Sequence, residues 1–151
     1  MTRQSACLAI GLLSAWSFGV QAAEIAIGDP YARAVPPGQP NSAVFMSLDN
    51  RSSDARALVG AESPVAEVVE LHTHLQEGGM MRMRRIERIE LPAGQSVALQ
   101  PGGLHVMLIG LKQTLEPGAS VALTLRYDDG GTDTIQAPVR RIEAPSMPQR
   151  H

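Results

Sequence analysis

The chain has 151 residues, 44% hydrophobic, 19% charged and only 3% aromatic, with 13 Lys and Arg against 15 Asp and Glu. That length fits one domain, and a net charge of −2 leaves no electrostatic footprint for DNA or RNA, so no nucleic-acid partner is expected. One Cys beside seven Met makes sulfur plentiful as thioether and almost absent as thiol.

Residues 1–23 carry Arg3 as their only charge, run through an apolar stretch from Ala6 to Val20, and end on Val20-Gln21-Ala22-Ala23. This is the layout of a secretory signal peptide, with cleavage expected after Ala22 or Ala23 and a periplasmic destination. The apolar run falls short of the roughly 18 residues that cross a bilayer, and Ser14 and Ser17 weaken it, so no transmembrane anchor is expected after processing. Cys7 stands near the start of the stretch, not at its end where a lipid-attachment cysteine belongs. Cleavage removes Arg3, Cys7, Trp16 and Phe18, leaving 12 Lys and Arg against 15 Asp and Glu and no cysteine. Disulfides, iron–sulfur ligation and cysteine nucleophiles are thereby excluded from the mature chain, which must rest on its hydrophobic core.

From residue 24 onward, turn residues punctuate the chain at Pro36 to Asn41, Gly78-Gly79, Pro92 to Gly94, Pro101 to Gly103, Pro117-Gly118 and Asp128 to Gly131. Between them lie short segments rich in Val, Leu and Ile: Ser42 to Asp49, Val68 to Leu75, Ser96 to Leu99, Leu104 to Ile109, Val121 to Tyr127 and Thr132 to Ile135. Short strands separated by frequent turns predict an all-β sandwich or barrel over residues 24–143. Asp129-Gly130 predicts a hairpin between the last two strands. Met46, in an apolar strand, reads as core. Asn50-Arg51-Ser52 matches the N-glycosylation sequon, a short and weak motif. Residues 144–151 read as a flexible tail.

Alternation assigns faces. Along Val69 to Leu75, Val69, Leu71 and Leu75 fall on one side, and Glu70, His72 and His74 on the other. Along Leu104 to Leu108, His105 and Met107 stand together, away from Leu104, Val106 and Leu108. His72 and Met107 are thus expected outside the core. Met81-Arg82-Met83-Arg84 alternates without revealing its buried face.

Apart from His151, every histidine lies in two patches, Leu71 to Met83 and Leu104 to Met107, which also hold four of the seven Met. Read as ligands, His72, Met83, His105 and Met107 offer two imidazoles and two thioethers. This neutral, soft-to-borderline set favours copper(I), whereas structural zinc takes thiolates and imidazoles, and calcium and magnesium take oxygen. A blue-copper site fails for want of cysteine. The four residues are separated by ten, twenty-one and one positions, a spacing that chance would produce about 2 times in 10,000 in a chain of this composition.

This pattern resembles the periplasmic copper-chaperone family of PCuAC type, whose signature is His-x10-Met-x21-His-x-Met. Pro101 to Leu111 is similar to its most recognisable block, and Asp29 to Ala34, Ala43 to Leu48 and Ile89 to Gly94 are also family-like. The resemblance covers Ile25 to Ile142. It implies a cupredoxin-like Greek-key β-sandwich that binds one copper(I) per chain near the surface. It further implies delivery to the binuclear copper centre of cytochrome c oxidase, so the expected partner is the oxidase's copper-accepting subunit or another periplasmic copper protein. His72, Met83, His105 and Met107 match all four ligand positions.

His74 reads as a solvated histidine more readily than as an auxiliary ligand, Met80 and Met81 as loop or packing residues more readily than as replacements for Met83, and Met147 and His151 as parts of the tail more readily than as a second, weaker copper arm. Arg82, Arg84, Arg85 and Arg88 form a basic cluster that reads as a solvated face or a docking patch. An enzyme is not expected: there is no Gly-x-Ser-x-Gly elbow, no His-Glu-x-x-His and no third ligand His for an open catalytic site. Copper storage or resistance, and a β-sandwich interaction module without metal, stand as alternatives.

Overall fold

The structure, a computed structural model, describes residues 24–142. The expected signal segment and the tail from Ala144 lie outside the described residues. Ten strands follow one another: β1 (Ile25–Arg33), β2 (Asn41–Asn50), β3 (Arg56–Glu62), β4 (Ala66–Glu77), β5 (Met80–Ile86), β6 (Ile89–Leu91), β7 (Ser96–Leu99), β8 (His105–Leu111), β9 (Ser120–Tyr127) and β10 (Thr132–Arg140). The all-β expectation holds. Six strands match the apolar segments between turns. The other four, β1, β3, β5 and β6, lack a clean apolar run: β1 contains Gly28, Asp29 and Pro30, β3 contains Gly60, β5 carries three arginines, and β6 has only three residues.

The strands are hydrogen-bonded in the order β5-β4-β8-β2-β1-β10-β9-β3-β6, with β7 added to β2. Strand β2 is long enough to hold β8 against its first half and β7 against its second, while β1 lines its other edge. Parallel pairing of Ala32 and Arg33 with Val139 and Arg140 passes the chain from the β5-β4-β8-β2-β1 layer to the β10-β9-β3-β6 layer. The bend that permits this lies in β1, where the register with β2 shifts between Gly28 and Tyr31 and Asp29 adopts a positive φ of 42°. Such a bulge re-aims a strand.

The two layers bury one core between them. Val44, Met46 and Leu48 of β2, Leu71 of β4, and Val106 and Leu108 of β8 meet Leu58 of β3, Val121, Leu123 and Leu125 of β9, and Val139 of β10. Met46 is core, as the sequence indicates. The Asp129-Gly130 hairpin also forms, closed by Tyr127 N–H donating to the Gly131 carbonyl at 2.9 Å.

Asn50 ends β2 wholly buried, with every hydrogen-bonding site of its side chain in use. Nδ2 donates to the carbonyls of Leu91 at 2.8 Å and Asp54 at 2.9 Å. Oδ1 accepts from the Ser52 amide at 3.0 Å and its hydroxyl at 2.8 Å. The sequon nitrogen is therefore engaged inside the folded protein. Asn50→Ala should leave the Leu91 carbonyl stranded and cost about 1–3 kcal/mol. A urea titration checks this: the midpoint should fall at constant m-value, and an unmoved midpoint would show that the network contributes nothing to stability.

Candidate metal centre

Strand register gathers the four motif residues onto the outer face of one layer. His72 of β4 lies directly opposite His105 of β8, and Glu70 opposite Met107. On the other edge of β4, His74 lies opposite Met83 of β5. Because successive side chains alternate, Glu70, His72, His74, Met83, His105 and Met107 all project from the same face, while Leu71, Val106 and Ile86 turn to the core. This also settles the open question in β5: Met81 and Met83 share the face of the histidines. Met80 and Met81, read from sequence as loop or packing residues, lie within β5 and are exposed.

The outer face is not uniformly solvated. His105 is only 2% exposed, although it stands on the face away from Val106 and Leu108. The Phe45 ring, 6.2 Å away between centroids, covers it from β2. Phe45 in turn lies 5.3 Å from Tyr31 and under the Arg33 guanidinium, whose Cζ is 5.9 Å from the ring centre. The bulged β1 delivers both Tyr31 and Arg33.

Hydrogen bonding fixes which nitrogen of each ring carries the proton. A carbonyl can only accept, so His105 Nδ1 donates to Gly103 O at 3.0 Å, and His74 Nδ1 faces the same oxygen at 3.4 Å. In both rings this leaves Nε2 with its lone pair for a metal. His72 takes the opposite arrangement: its Nε2 donates to Glu70 Oε2 at 2.8 Å, and Glu70 Oε1 also lies 3.6 Å from Arg85. The Nδ1 of His72 is buried without a protein partner. In each histidine one ring nitrogen is thus engaged by an oxygen acceptor and the other is left for a metal.

A cavity of about 470 Å³ opens on this face, lined by Arg33, Phe45, His74, Met83, His105 and Met107 among others. His72 is not part of its lining. His72 and His74 flank the His105 ring, with centroids 5.8 and 5.2 Å from it. Among the described residues, no group of three or more His, Cys, Asp or Glu side chains is placed to hold a metal ion. A metal held here must therefore draw on the thioethers, which are neutral and soft.

Burial, the largest cause, pushes the His105 pKa below the ordinary 6.5; the Gly103 hydrogen bond acts upward, and the neighbouring His74, His72 and Arg33 add to the depression. The folded state therefore favours the neutral ring. As pH falls through the ordinary imidazole value, the unfolded chain takes up a proton that the fold resists, so this stabilisation is present near pH 7 and is lost towards pH 5. Urea midpoints across about pH 7 to 5 should fall in the parent and flatten in His105→Gln. An equal slope in both would remove His105 as its source.

Sequence alone did not single out Glu70, Gly103 or Phe45. Only the position of Glu70, on the histidine face of β4, was visible beforehand. Gly103 acts through a backbone carbonyl and Phe45 through long-range packing, neither of which leaves a local sequence signal. His74 was visible, but as a solvated neighbour; the structure places it in the cavity wall instead.

The fold and this face define a β-sandwich with a histidine- and methionine-lined pocket on its outer surface. Over residues 25–139 the sequence matches the family described as "Putative lipoprotein LpqE-like", and the chain belongs to that family. It is 34% identical over 128 residues to a putative lipoprotein of Leifsonia xyli subsp. xyli (strain CTCB07), spanning 84% of this chain and 76% of that protein. Among solved structures, CuI-DR1885 from Deinococcus radiodurans is 38% identical with a TM-score of 0.66, over 84% of this chain and 85% of that one. The copper-bound PCuAC domain from PmoF2 is 27% identical with a TM-score of 0.68, over 80% of this chain and 95% of that domain. The fold is accordingly the cupredoxin-like Greek-key sandwich of PCuAC domains, as expected from the sequence.

Proposed function

We propose that this protein is a copper metallochaperone that binds one copper(I) per chain through His72, Met83, His105 and Met107. The observation that carries the reading is that strand register sets these two imidazoles and two thioethers on one outer face, with one nitrogen of each ring engaged by Gly103 or Glu70. Solved relatives described as copper-bound support it. The ligands are neutral, so copper(I) and its four donors together keep a single positive charge, with no anion bonded to the metal. An acceptor thiolate or imidazole then displaces one thioether at a time, Met83 first because it is 49% exposed at the sheet edge. His105, held beneath, leaves last.

The family's description as lipoprotein-like supports an exported protein, and a signal peptide over residues 1–23 would deliver it to the periplasm. Among the described residues no helix is long and apolar enough to cross a membrane. In that compartment we assign the copper-accepting subunit of cytochrome c oxidase as recipient. Titration with copper(I) against a chromophoric chelator should reveal one tight site per chain. X-ray absorption of the loaded protein should show sulfur and nitrogen at copper, and a shell of nitrogen and oxygen alone would sink the assignment. Mixing with the reduced acceptor domain should move the metal, whereas retention over hours would favour storage.

A further inference from the structure

We propose that His74 is an alternative copper ligand: Met83, His105 and Met107 hold the metal together with either His72 or His74, and exchange between the two imidazoles brings copper to the cavity for handover. The inference rests on the copper reading above and deepens it.

Three observations set His74 apart from a solvated surface histidine. It lines the cavity together with Met83, His105 and Met107, and His72 does not. Its ring is nearer to His105 than that of His72, 5.2 against 5.8 Å, and it lies directly opposite Met83 in the β4–β5 register. It shares with His105 a single acceptor, the Gly103 carbonyl, which engages Nδ1 of both rings and leaves Nε2 of each available to a metal.

His72 also carries an unpartnered nitrogen, but a buried one, with the other nitrogen of its ring tied to Glu70. The two imidazoles occupy successive outward positions on β4, and no three histidines converge on one metal position among the described residues. One imidazole therefore replaces the other instead of adding to it. Set around the shared His105, His72 provides the enclosed position and His74 the one facing the cavity. An incoming acceptor that has displaced Met83 meets copper on His74 and His105, with no need to reach His72.

Copper(I) affinity measured by chelator competition on the full processed chain, in the parent, His72→Ala, His74→Ala and the double variant, tests this. Each single variant should weaken binding by less than about tenfold, since the other imidazole substitutes, and the double variant should weaken it by more than about 100-fold, a non-additive loss. X-ray absorption of His72→Ala should still show two nitrogens and two sulfurs. If His74→Ala changes nothing in the His72→Ala background, or if His72→Ala alone loses the metal, the proposal is overturned. His72→Asn, which keeps a donor toward Glu70, repeats the cycle should His72→Ala unfold. A parent chain that binds no copper(I) would fail the underlying reading, which separates the two failures.

Discussion

Replacing His105 and Met107 together by alanine is expected to weaken copper(I) binding by more than the roughly 10–100-fold that follows loss of an outer-shell partner, because two donors themselves are removed. His105 is the pivot of the site. Its Nδ1 proton is committed to Gly103, its ring lies between Phe45 and the two histidines of β4, and Met107 follows it by one strand repeat on the same face. Among the described residues no other imidazole can take its position, since His72 and His74 are both fixed on β4. Chelator competition gives the result directly. Affinity equal to that of the parent would remove both residues from the ligand set and with them the chaperone reading. Circular dichroism should show the sandwich retained, because the core lies on the opposite face of β8, in Val106 and Leu108.

Phe45→Ala should produce the largest loss of stability among outer-face substitutions, about 3–5 kcal/mol. The ring is 2% exposed although it lies outside the main core cluster. It contacts Tyr31 and His105 and lies beneath Arg33, so truncation removes aromatic and cation–π contacts as well as buried area. The melting temperature of the metal-free protein should fall on the order of 10 °C. Copper affinity should fall too, because His105 loses the surface that holds its ring against the Gly103 carbonyl. Phe45→Leu, which restores most of the volume, should recover most of the stability. A loss below about 1 kcal/mol for Phe45→Ala would show that the cavity floor relaxes freely.

These expectations combine what was readable locally with what was not. The face on which His72, His74, His105 and Met107 stand followed from alternation within two short strands, a property of adjacent residues. Assignment of the soft ligand set also needed no structure, since residue type alone separates thioether and imidazole from carboxylate and thiolate. β5 was harder to read. Its arginines and methionines have no clear apolar face, and pairing with β4 is what makes it a strand, so the partner of Met83 could not be known before the register was.

The sequence by itself determined that this is an all-β domain, that its described part contains no thiol, and that histidines and methionines recur at a spacing suited to copper(I). Only the tertiary structure decided that His105 is buried, that Gly103 holds the protons of two rings, that Glu70 engages His72, and that His74 faces the cavity. The reason is physical. Side-chain direction along a strand is set by the period of two, within a few residues. Burial and hydrogen-bond partnership depend on which strands become neighbours, and β4, β8 and β2 are brought together from distant parts of the chain by ladder pairing and by the common core they cover.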